Sequence, residues 1–167
     1  VESQPAAQWQ RPSTITVKLT PAGKWFISLL VDVEIAPLPI TPNKIGIDLG
    51  INSLIALSPG DKVSNPKTFR RKHHKLRKAQ KALARKEKGS NNRYKARLEV
   101  ARIHAEIADA RKDFLHKLTT QLVSENQTIA IEDLAVKNMV KNSKLAQSIS
   151  DASWGELVRQ LEYKCEW

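Results

Sequence analysis

The 167 residues predict an α/β fold in which a mixed sheet is interrupted by a long helical hairpin. Three observations lead there. Short runs of Ile, Leu and Val alternate with polar residues or glycine up to about residue 69. From 70 to 124, apolar residues recur at helical spacing on either side of one Gly89-Ser90-Asn91-Asn92 break. A further apolar run, Thr128 to Glu132, returns after the helices, and a crossover of that length is what a parallel strand neighbour requires.

The elements follow in order. Residues 13–20 alternate Ile15, Val17 and Leu19 with polar neighbours, a half-buried strand. Pro21 to Lys24 is a turn, and Trp25 to Glu34 a second strand, so the pair predicts a β-hairpin too small to stand alone. Pro37, Pro39 and Pro42 then break regular structure, which makes 37–43 an extended linker and 44–167 a separate unit. Ile45, Ile47 and Leu49 face one way from the next strand; Gly46, Asp48 and Gly50 face the other. A tight connection leads to Leu54–Leu57, and a turn at Ser58–Lys62 to a short third strand reaching about Phe69, an antiparallel meander.

In the first long helix His73, Leu76, Ala79, Gln80 and Leu83 make a weak apolar stripe. In the second, Tyr94, Leu98, Ala101, Ala105 and Ala108 make one stripe, and Val100, Ile103, Ile107, Ala110 and Phe114 its neighbour. Residues 134–148 are mixed and polar. Trp154, Leu157, Val158 and Leu161 predict a last amphipathic helix. Trp154 and Trp167 read as core anchors and Cys165 as a small buried hydrophobe. The four histidines read as phosphate contacts or core hydrogen-bonding groups.

The charge is confined to one element. The chain carries a formal net charge of +11. Between Arg70 and Arg97 stand 13 Lys or Arg against Glu87 alone, so this window nets +12 and the remainder −1. A localised basic face is the footprint of phosphate binding. Arg70, Arg71, Lys75, Lys78, Lys81, Arg85, Lys86, Lys88, Arg93, Lys95 and Arg97 are the candidate nucleic-acid contacts. One cysteine excludes an internal disulfide and a cysteine-built zinc site, and fits a cytoplasmic location. No apolar run approaches the roughly 20 residues that span a bilayer, so no membrane partner is expected. The start has no signal-peptide pattern and no initiator Met, which leads us to expect a piece of a longer chain.

Asp48 and Glu132 are the candidate catalytic and metal-ligating residues. Hydrolysing a phosphodiester needs charge stabilisation on the phosphate and an activated water, both within reach of divalent cations. Mg²⁺ takes carboxylate oxygens, and adjacent strands lie about 4.8 Å apart, so acids on neighbouring strands can share one ion.

Several motifs then fall in order: Ile45-Gly-Ile-Asp48-Leu-Gly50, the run from Lys86 through Gly89 and Arg93 to Arg97, His104, Arg111 to Lys117, Ile131-Glu132-Asp-Leu134, Lys141-Asn142 and Ser150-Asp-Ala-Ser-Trp154. Over about residues 13 to 167 this resembles the OrfB/TnpB family of transposon-encoded proteins, which is related to the RuvC-type nuclease part of type V CRISPR effectors. The resemblance implies an RNase H-like (RuvC-type) fold and RNA-guided, Mg²⁺-dependent DNA cleavage within DNA transposition and recombination. DNA and a guide RNA are the implied partners. It makes Asp48 the first catalytic acid and Glu132 the second, lays the basic hairpin along guide RNA and target DNA, and makes residues 1–36 the end of an amino-terminal β-barrel. The family's third acid, an Asp beyond a four-cysteine zinc ribbon, and the last strand of the sheet would lie past Trp167. Zinc therefore belongs to a full-length parent only, and Mg²⁺ is expected to bind this chain weakly or not at all.

Two other readings stay open. The chain as it stands can be a nucleic-acid-binding fragment that cuts nothing, a reading favoured by the missing third acid. More distantly, Gly46 to Gly50 with Asn52-Ser53 is similar to the first phosphate loop of sugar-kinase and actin-like ATPases, although no later Gly-Gly nucleotide loop follows.

Overall fold

A computed structural model of the chain describes residues 11–33 and 36–166. It has a mixed α/β fold. Strands β3 (Lys44–Leu49), β4 (Ser53–Leu57), β5 (Lys62–Ser64) and β6 (Thr128–Ile131) form one sheet in the order β5-β4-β3-β6. β3 pairs antiparallel with β4, and β4 antiparallel with β5, each across a short connection. β3 pairs parallel with β6, and the connection between them is the helical hairpin α1 (Thr68–Ala84) and α2 (Asn91–Glu125). The third strand ends at Ser64, short of the expected Phe69. Pro66 cannot donate to the ladder, and α1 already starts at Thr68.

Strand alternation decides where the core sits. Ile47, Leu49 and Ile55 are buried. The carboxy-terminal half of α2, with Leu115, Leu118 and Leu122, packs in the same cluster. So do Ile149 and Ala152 of α4 (Ala146–Ala152), and Trp154, Leu157 and Leu161 of α5 (Trp154–Glu166). The anchoring role expected of Trp154 is observed; Trp167 lies outside the described residues. α4 and the single turn α3 (Val136–Met139) occupy the stretch that composition left without an element. Cys165 is exposed, contrary to its expected burial, because it falls on the outer side of α5.

The helical hairpin has its own small core. Leu76 of α1 meets Ile103 and Ile107 of α2, with Phe69, Ala79 and Val100 around them. At 35 residues α2 is about 50 Å long, so it lends its first half to the hairpin and its last half to the main core. Ser90 caps it by accepting the Arg93 amide at 3.2 Å. Gly89 (φ 86°) makes the preceding turn in a conformation that suits glycine. Of the expected stripes, Ile103 and Ile107 are buried, whereas His73, Gln80, Tyr94, Ala108 and Ala110 are exposed. The seam is narrower than the periodicity.

Strands β1 (Thr14–Leu19) and β2 (Trp25–Leu30) form the expected hairpin, pairing Ile15 with Leu29, Val17 with Ile27 and Leu19 with Trp25. Every residue of both strands is exposed. Its turn reaches α2, where Lys24 lies 3.8 Å from Asp109. Residues 1–10, and 34–35 with the expected strand end at Glu34, lie outside the described residues. The linker has no regular structure but is tied down at its end: the Asn43 side chain donates to the Glu125 carbonyl at 2.9 Å, and its carbonyl accepts the Gln127 amide at 2.9 Å.

Candidate functional site

The register of the sheet assembles the two acids. Ile47 on β3 faces Ile131 on β6. One residue further along each chain stand Asp48 and Glu132, which brings both carboxylates to the same end of neighbouring strands. Asp48 also faces Ala56 on β4, which faces Lys62 on β5. Cross-strand partners project to the same side, so Lys62, Ala56, Asp48 and Glu132 form a row across the sheet. Behind them lie Gly46, opposite Ala130, and Ser58, whose hydroxyl accepts the Gly46 amide at 3.1 Å. All of these but Lys62 line an open depression of about 500 Å³. Asp48, Ser58, Ala130 and Glu132 are exposed, while Ile47 and Leu49 between them are buried. The depression is therefore a shelf of small side chains carrying two carboxylates on the sheet face opposite the core.

That donor set suits a hard cation in part. Mg²⁺ is commonly held by one or two carboxylates, with waters and substrate phosphates completing an octahedron, and the small neighbours leave room for both. Among the described residues no group of three or more His, Cys, Asp or Glu gathers around one point. Asp133, next along, does not cap α3, whose first turn has no side-chain cap. It lines a second recess with Glu132, Trp154, Arg159 and Glu162.

The basic residues divide into groups. Arg77, Lys78, Lys81 and Arg85, with His74, follow one another along a single face of α1 and border one depression. Among the described residues no ion pair involves any of these four cations. Lys72 and Lys75 instead converge on Glu106 of α2, and the Lys72 hydrogen bond, then the two lysine charges, hold the Glu106 carboxyl below its ordinary value. Arg93 is a brace: its guanidinium donates to the carbonyls of Leu83 at 3.2 Å and Lys86 at 3.0 Å, closing the hairpin turn. Arg97 lies over the Tyr94 ring, 5.5 Å from its centroid. Arg71, Lys86, Lys88 and Lys95 are exposed. Arg70 is exposed at the start of α1 beside Lys67 and Asp151.

One residue that matters was not foreseen. The amino-terminal turn of α1 has no local cap, since Lys67 sits in the left-handed region (φ 48°). The buried carboxylate of Asp151 supplies it, accepting from the Thr68 hydroxyl at 3.2 Å and from the amides of Phe69 at 3.0 Å and Arg70 at 3.4 Å. Next to it, the Ser150 carbonyl accepts from Arg111 of α2 at 3.0 Å. The Ser150-to-Trp154 motif is thus a joint between the sheet core and both helices of the basic hairpin. Asp151 and its partners lie more than 80 residues apart in the chain, so no local pattern could pair them.

Residues 27–143 match the OrfB_IS605 family, described as "Probable transposase". A protein of Streptomyces pristinaespiralis named "Putative RNA-guided DNA endonuclease" is 56% identical over 165 residues, covering 99% of this chain and 41% of that protein. One of Escherichia coli strain K12, "Putative RNA-guided DNA endonuclease InsQ", is 37% identical over 161 residues, 87% of this chain and 40% of its own length. The chain thus spans about two fifths of these relatives. With the family match extending over most of its length, through both carboxylates and the basic hairpin, the chain belongs to the OrfB family of probable transposases.

Proposed function

We propose that this chain carries the carboxylate-bearing core of an RNA-guided, Mg²⁺-dependent DNA endonuclease with an RNase H-like (RuvC-type) sheet. The observation that carries the reading is the pair Asp48 and Glu132, brought side by side on an open sheet face by the β3–β6 register. The order of the sheet, three antiparallel strands and then a parallel fourth across a helical crossover, supports the RNase H-like reading. The names of the relatives support a guide RNA and target DNA as partners.

In this reading each group has a part. Asp48 and Glu132 would hold Mg²⁺. When bound, the cation stabilises charge on the phosphate and lowers the pKa of an attacking water. Gly46, Ala56 and Ala130 keep the shelf low, so that a sugar-phosphate chain can approach the carboxylates. Arg77, Lys78, Lys81 and Arg85 hold neighbouring phosphates by charge along one face of α1. Asp151 fixes the start of that helix relative to the sheet.

The two parts separate experimentally. Titrating Mn²⁺ into this chain should give heat that disappears in Asp48→Asn and in Glu132→Gln; equal heat in wild type and both variants would remove the metal assignment. Replacing Lys78, Lys81 and Arg85 together by Ala should lower the salt-dependence slope of duplex DNA binding by about 2–3; an unchanged slope would remove α1 as the phosphate face. A second reading, binding without cleavage by this chain alone, is favoured by the lack of a third carboxylate beside the pair among the described residues. It is tested by offering the chain DNA and Mg²⁺ and looking for cut product.

A further inference from the structure

Tyr94 is out of place for a member of an apolar seam. It stands in the first turn of α2, at the free end of the hairpin, and is 57% exposed. The buried cluster between α1 and α2 lies further down, at Leu76, Ile103 and Ile107 with Val100 beside them. The Arg97 guanidinium lies over the ring at 5.5 Å, and the two side chains, with Gly89, Ser90 and Arg93, line a recess of about 250 Å³. Lys86, Lys88 and Lys95, near it in the chain, are exposed. Arg93, bonded to two backbone carbonyls, holds the turn beneath it rigid.

An aromatic ring left half in water costs the chain burial it could have had. A tyrosine backed by a guanidinium, in a cationic surround and on a braced turn, has the composition of a surface that stacks nucleobases. Each such stack contributes through the π-face, which every base has, and is independent of sequence. A base paired within a duplex does not present that face.

We propose that Tyr94, backed by Arg97, is a stacking platform for an unpaired nucleobase, so that the tip of the hairpin grips single-stranded nucleic acid while the α1 face holds phosphates. The inference rests on the reading of this hairpin as a phosphate-binding element and adds to it a preference for unpaired strand.

The test uses the whole chain with fluorescein-labelled oligo-dT and oligo-rU of about 15 nucleotides, within the site sizes such surfaces cover, and a duplex of the same length. Tyr94→Ala should weaken binding to the single strands about tenfold, with the salt slope unchanged because no charge is removed. Tyr94→Phe should restore wild-type affinity, and duplex affinity should be the same in all three proteins. An oligo-dT lacking its bases should bind wild type and Tyr94→Ala equally. Loss with dT, with rU or with both supports the platform and identifies which strand it takes. Single-strand affinity unchanged in Tyr94→Ala, or an equal loss on duplex, overturns it. If wild type binds the oligonucleotides with steep salt dependence but Tyr94→Ala does not differ, only the platform fails. If wild type binds none of them at low salt, the phosphate-binding reading fails and takes the platform with it.

Discussion

The two faces of the sheet are made from the same strands and have opposite chemistry. On one side Ile47, Leu49 and Ile55 are buried against α2, α4 and α5. On the other, Gly46, Asp48, Ala56, Ala130 and Glu132 line an open shelf. Neighbours in the chain therefore serve different ends: Ile47 and Leu49 hold the fold and Asp48 between them does not. Along β3 the contrast teaches that stability and function are segregated by strand parity, so single substitutions one residue apart should separate them; β4 is less strict, since Leu54 and Ile55 are both buried.

The sharpest break is Asp48→Ala. Removing the proposed metal ligand should lower the proposed guided DNA cleavage by about a thousandfold, the scale of several kcal/mol of phosphate charge stabilisation. The unfolding free energy should stay within about 0.5 kcal/mol of wild type, as for other exposed positions. Undiminished cleavage would sink the catalytic assignment; a large loss of stability would sink the segregation.

Leu157→Ala probes the opposite side. Leu157 is fully buried on α5 within the core shared with the sheet. The cavity left should cost about 2–5 kcal/mol, measured by urea unfolding, while Mn²⁺ binding at saturating folded protein is retained. Ala130→Leu is its counterpart on the shelf. A side chain added to that exposed position should leave stability nearly unchanged yet obstruct nucleic acid at the acids.

The parity was legible in the sequence because Ile45-Gly46-Ile47-Asp48-Leu49 states it directly: apolar and non-apolar residues alternate without exception. The hairpin was legible for a similar reason, with Ser90 and Gly89 marking its turn. Tyr94 was misassigned because helical periodicity gives the angle of a residue around α2 and says nothing of where along α2 its partner helix touches it. Among the described residues α1 gives Leu76 alone to the buried cluster of the hairpin, and that cluster stops short of the tip. The cap from Asp151 was invisible for a different reason: it is a tertiary contact between a carboxylate and backbone amides, with no signature at either end.

Asp151→Ala should therefore have a smaller, local effect. Losing an N-cap costs typically about 1 kcal/mol. Hydrogen exchange of the Phe69 and Arg70 amides should accelerate while β3 and β6 stay protected. If protection changed uniformly, the joint between sheet and basic hairpin would be no more than general packing.

The smallest effect lies in the polar edge of α5 and separates two titrations. Glu156 accepts from Arg159 through both oxygens at 2.8 Å and from Gln160 at 2.9 Å. The Arg159 hydrogen bond, against some desolvation and with help from Gln160, lowers its carboxyl from 4.5 to about 2. A depressed carboxylate stabilises the fold above its unfolded value, and that contribution is lost as pH falls from about 4.5 toward 2. His116, on α2 beneath α5, is lowered chiefly by burial and then by the Lys164 charge. Its sign differs from that of a paired histidine, because charging it is disfavoured in the fold. Stability should already begin to fall as pH drops below 6.5. Melting curves of wild type and Glu156→Gln across this range should run parallel down to about pH 4.5 and converge below it. The side chain is 35% exposed and partly screened, so the gap will be modest. Curves that differ by a constant at every pH would mean that the Glu156 charge contributes nothing through titration, and that Gln160 and packing alone hold this edge of the helix.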